Sequence, residues 1–177
     1  SASKEVASLF LVIFSVGVAI GSVAVNHLLK GTVSARFAPL SVIVMAGFVV
    51  AFWLVARIWP VPTEGPLLDV PQFLAVPMAY PLLGALLGIA IAGGMFVVPL
   101  YAFLTTRVAP EQASRTIAAN NIVNSGAMVG GALLAMALTA VGVGITDQVL
   151  MSAGMCLVSC WLARRLVNAE RTAEASA

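Results

Sequence analysis

Charge is what this sequence has least of. Only 9% of its 177 residues are Asp, Glu, Lys or Arg, while 61% are hydrophobic; soluble domains carry roughly 25% charged residues. A water-soluble fold of this size has no way to hide so much apolar surface, so lipid is the solvent for most of the chain. The net charge of +2 excludes the basic footprint of a nucleic-acid binder. Histidine occurs once, at His27, and cysteine twice, at Cys156 and Cys160. Four residues apart in an apolar run, the cysteines share a helix face and read as small apolar residues packed between helices. A metal site needs more ligands than this pair and a distant histidine provide. Catalytic signatures are missing too: there is no Gly-x-Ser-x-Gly, P-loop, His-Glu-x-x-His, His-x-x-x-x-Asp or Gly-rich dinucleotide fingerprint. No enzymatic activity and no cofactor are expected.

What the chain does have is long apolar runs. A span needs about 20 mostly apolar residues at a rise of about 1.5 Å each, and five stretches qualify. The first covers residues 6 to about 28 and carries no charge between Glu5 and Lys30. No basic stretch precedes it and no small-residue cleavage site follows, so it reads as a span, not a signal peptide. The second covers 37–56, with Trp53 and Trp59 near one end, as suits the headgroup interface. The uncharged stretch 70–106 is too long for one span. Its prolines at 71, 77 and 81 fit a loop and a helix start, which places the third helix from about 81 to 104. The fourth runs from about 116 to 143. The fifth, 148–163, is short, and Arg164 and Arg165 can snorkel to lengthen it.

The connections alternate in charge. Lys30, Arg36, Arg107, Arg115, Arg164, Arg165 and Arg171 fall on one side, whereas Lys4 and Arg57 alone fall on the other. By the positive-inside rule the first and third loops and the C-terminal tail are cytoplasmic, which puts the N-terminus outside. Five spans beginning outside fit the end of a longer chain better than a complete protein. The sequence also opens on Ser1, not Met.

Three small-xxx-small motifs, Gly17 to Gly21, Gly84 to Gly88 and Gly126 to Gly130, offer faces where a neighbouring backbone can come close, and together they predict a packed bundle. Gly93, Gly94 and Pro99 invite a bend in the third helix. No span holds a charge in its middle, so the ionisable group that proton coupling commonly uses is absent from these helices. The fourth helix is the most polar. Thr116, Asn120 and Asn124 recur every four residues on one face, with Asn121 and Ser125 beside them. Asn124 lies roughly 13 Å along the axis from Arg115, close to mid-bilayer. Each amide there must face another helix or a wet cavity. Two readings stay open: interhelical hydrogen bonds worth about 0.6 and up to 1–2 kcal/mol, or the lining of a polar cavity. Tyr101 is a second candidate, with an interfacial aromatic as its plainer reading. Arg107 and Arg115 flank the third loop, where they set topology, hold a phosphate or lock the loop to another domain. His27, beside Asn26, reads as interfacial.

The run Ala92-Gly93-Gly94-Met95-Phe96-Val97-Val98-Pro99-Leu100-Tyr101-Ala102-Phe103-Leu104, a short basic loop, and then Arg115-Thr116-Ile117-Ala118-Ala119-Asn120-Asn121-Ile122-Val123-Asn124 resemble the lysophospholipid transporter branch of the major facilitator superfamily. Phe14 to Ser22 also looks like the eighth helix of that branch. The resemblance covers nearly the whole chain and implies helices eight to twelve of twelve. It implies an all-α polytopic membrane protein with about five transmembrane helices, part of a C-terminal six-helix bundle over residues 1–167, followed by a polar cytoplasmic tail over 168–177. It further implies a bacterial inner-membrane location with the C-terminus cytoplasmic, the side the charge count also selects. The implied function is alternating-access movement of lysophospholipid, or another small amphipathic solute, for re-acylation. By carry-over, Tyr101, Asn120, Asn121 and Asn124 lie near the central cavity or its cytoplasmic gate. The superfamily needs two six-helix halves with the path between them. The expected partners are therefore membrane lipids, the N-terminal transporter half on the same or a separate chain, and an acyltransferase domain of the kind fused to some members. A non-transporting scaffold or anchor for such an acyltransferase is the alternative.

Overall fold

The computed structural model describes residues 3–30, 34, 36–59, 67–106 and 108–175, with the side chains of 110, 170, 171 and 173–175 outside that description. The chain is a helical polytopic membrane protein. Five of the six helices among the described residues are long and apolar enough to cross a membrane: α1 (Lys4–Leu29), α2 (Ala38–Arg57), α4 (Ala79–Thr106), α5 (Pro110–Ala140) and α6 (Ile145–Ala175), the apolar part of the last ending at Ala169. The sixth, α3 (Val70–Ala75), is a short helix of 6 residues.

Local chemistry sets the boundaries. Ser3 caps α1, its Oγ accepting from the Val6 amide, and Lys30 closes the helix in the left-handed conformation at φ 50°. Asp69 and Gln72 form a reciprocal capping box that starts α3 among the prolines expected to make only a loop. Pro99 lies inside α4, and the helix runs on through it to Thr106. The fourth span begins six residues earlier than its hydropathy suggests, because Pro110 occupies a first-turn position and Glu111 complements the positive helix end. Nor does the fifth stop near 163. The helix-favouring run Asn168-Ala169-Glu170-Arg171-Thr172-Ala173-Glu174-Ala175 carries it to Ala175, so the polar tail is largely a helical extension.

Four spans stand side by side in the order α1, α4, α2, α6, with α4 between α1 and α2, and α2 between α4 and α6. Glycine makes the α1/α4 crossing close. A Cβ on Gly21 would collide with the backbone carbonyl of Ile91, and one on Gly94 would lie 2.5 Å from the carbonyl oxygen of Val18. In the α2/α4 contact Gly88 leaves room for the Phe48 ring. Cys156 and Cys160 of α6 are buried against Val42 of α2, and the Cys160 thiol points at the Pro39 carbonyl at 3.8 Å.

The connections gather at two ends, as their charges predict. At one end the Ser3 amide donates to the Leu68 carbonyl at 3.1 Å. There Phe73 of α3 stacks on Trp59 and meets Phe10 edge-on. At the same end Trp53 and Arg57 meet Asp147 at the start of α6. The opposite end carries Lys30, Arg36, Arg115, Arg164 and Arg165.

Candidate functional site on the asparagine helix

α5 stands apart. It barely touches α4 and α6, and none of its most apolar stretch is buried. Where α1 and α4 use their glycines for close approach, Gly126, Gly130 and Gly131 face open space. Of the three motifs expected to pack, the α1 motif does so fully, the α4 motif only through Gly88, and the α5 motif not at all within the described residues.

The earlier start of α5 moves its polar residues to mid-helix. Asn124 lies about 21 Å from the first residue of a helix about 46 Å long, and Asn120 one turn before it. Asn120 is half-buried, while Asn121 and Asn124 are exposed. Asn124 makes one weak intrahelical contact, its Nδ2 lying 4.0 Å from the Met128 sulfur. An amide at bilayer depth without a strong partner is costly, on the order of 1–3 kcal/mol in proteins. This face therefore calls for water or a further polar surface.

Among the described residues, Tyr101 and Arg115 share no hydrogen bond with these asparagines. Tyr101 lies exposed on the last third of α4, where its backbone carbonyl accepts from the Thr105 hydroxyl at 3.0 Å. Arg115 is exposed in the second turn of α5. Arg107 lies outside the described residues. Among the described residues no three His, Cys, Asp or Glu side chains converge as metal ligands.

Between α2 and α4 lies an apolar groove of about 270 Å³ lined by Phe37, Leu40, Val44, Phe48, Ile91 and Met95, together with Ser41, Gly88 and Ala92. The only sequence signal for it is the Gly88 motif, which permits the close approach of Phe48 without showing where that ring comes from.

No family model, no curated protein and no solved structure matches the chain. The class it belongs to is therefore set by the fold alone, a membrane-integral helical protein with five candidate spans.

Proposed function

We propose that this chain is the C-terminal part of a membrane transporter of the facilitator type, and that it moves lysophospholipid, or a similarly shaped amphipathic solute, across a bacterial inner membrane. The observation that carries the reading is the state of α5. The most polar span places three asparagines near its midpoint and leaves Asn121 and Asn124 exposed, with Asn120 half-buried beside them. A second helical bundle, on the same polypeptide or another, would face α5 across a wet path, and the amides would line that path. A substrate with a polar headgroup and one acyl chain suits a surface where Asn120 and Asn124 neighbour Ile117, Val123 and Met128. Alternating access then consists of rocking one bundle against the other around this face. The basic end carrying Arg36, Arg115, Arg164 and Arg165 is the cytoplasmic one under the positive-inside rule.

The same uncovered helix suits a second reading, in which α5 docks a membrane partner such as an acyltransferase and nothing crosses. The test is uptake of labelled lysophosphatidylethanolamine by vesicles carrying the complete gene product. Transport predicts uptake above empty vesicles, reduced about tenfold or more in N120A/N124A, the effect of losing one to two kcal/mol of polar contact. Absence of uptake by the wild-type protein favours the scaffold.

A further inference from the structure

The groove between α2 and α4 begins at the basic end of the molecule and stops near its middle. Its α2 wall runs from Phe37 to Phe48, about 16 Å of helix axis at 1.5 Å per residue. The hydrocarbon core is roughly 30 Å thick, so the groove has the depth of one leaflet. The Ser41 hydroxyl in its wall donates back to the Phe37 carbonyl at 3.0 Å, which leaves the slot an apolar lining. Leu40, Val44 and Phe48 remain exposed along its mouth.

A cation sits at the open end. The Arg36 guanidinium lies over the Phe37 ring, 4.7 Å from its centroid. One Nη2 reaches the Leu28 carbonyl at 3.5 Å, and no carboxylate lies within ion-pair distance of Arg36 among the described residues. The guanidinium has five N–H donors, and among the described residues only the Leu28 carbonyl accepts from them. Lys30, also exposed, belongs to the same end. A single aromatic ring thus joins a basic group to a slot one leaflet deep.

We propose that this groove binds an anionic glycerophospholipid, with one acyl chain along the 37–48 wall and the headgroup phosphate on Arg36. An acyl chain matches the slot in length and polarity. A net negative headgroup complements Arg36 and Lys30, whereas a zwitterionic one brings a second cation toward them. The site lies away from α5 and does not depend on the transport reading.

Native mass spectrometry of the whole chain, released from detergent with equimolar phosphatidylglycerol and phosphatidylcholine of matched acyl chains, tests this. The wild type is expected to retain the anionic lipid about fivefold over the zwitterionic one, the preference conferred by one basic group near the membrane surface. R36Q should bring the two to parity. V44W, which fills the slot with an indole, should lower retention of both lipids. Excess inorganic phosphate should leave the lipid bound. Parity in the wild type, an unchanged preference in R36Q, unchanged retention in V44W, or displacement by phosphate would each overturn the proposal. R36Q changes an exposed side chain, so it carries the test even if V44W fails to fold.

Discussion

The indole N–H of Trp53 donates to the Asp147 carboxylate at 3.2 Å, joining the end of α2 to the start of α6 across 94 residues of sequence. Arg57 adds an ion pair to the same carboxylate at 3.8 Å and lies over the Trp53 ring. All three groups are at least partly exposed, so solvent screens them. Replacing Asp147 by Ala is expected to cost no more than about 1 kcal/mol. Thermal unfolding in detergent should show a small decrease that high salt largely erases.

The α1/α4 crossing should be far less forgiving. At Gly21 the obstacle is the backbone of Ile91, which has no rotamer to move out of the way. Gly21→Val is expected to destabilise by about 1–3 kcal/mol or more through overpacking. Gly84→Ala, four residues before Gly88 in the same kind of motif, meets open space. It should be neutral or gain up to about 1 kcal/mol from helix propensity. Denaturation of the two variants side by side checks the difference.

A third expectation concerns α3. The Asp69 carboxylate accepts from the Gln72 amide at 2.9 Å, and the Gln72 side chain returns a bond to Asp69. Asp69→Ala should cost about 1 kcal/mol of local stability. Because Phe73 stacks on Trp59 with ring centroids 5.5 Å apart, loosening α3 should change the Trp59 fluorescence. W53F/W161F provides the background in which that signal is read alone.

These contrasts show what a linear pattern carries. Length and hydropathy revealed the five spans, and the alternation of charge revealed which loops share an end, because both are properties of contiguous residues. The six-residue α3 was hidden among prolines, and its capping box outweighed their loop-forming character. The start of α5 lay in Pro110 and Glu111, a signal that hydropathy alone passes over. Gly17 to Gly21 and Gly126 to Gly130 look alike on paper, yet only the first pair meets a neighbour. The difference lies in what stands opposite, which spacing does not encode. The asparagine stripe was visible as a four-residue period. Its lack of cover, and the groove beside Phe37, arise only from how the helices cross.

The central claim is that α5 borders water at mid-membrane, and one labelling experiment tests it most directly. Cys156 and Cys160 are replaced by Ala, and single cysteines are placed at Asn124 and, as a lipid-facing control, at the exposed Leu11 of α1. The intact gene product in its native membrane is then treated from each side with a membrane-impermeant maleimide. The account predicts labelling at position 124, slowed by lysophosphatidylethanolamine, and none at position 11. If position 124 is as unreactive as position 11 from both sides, α5 is covered by protein or lipid, and the transport path has to be sought elsewhere.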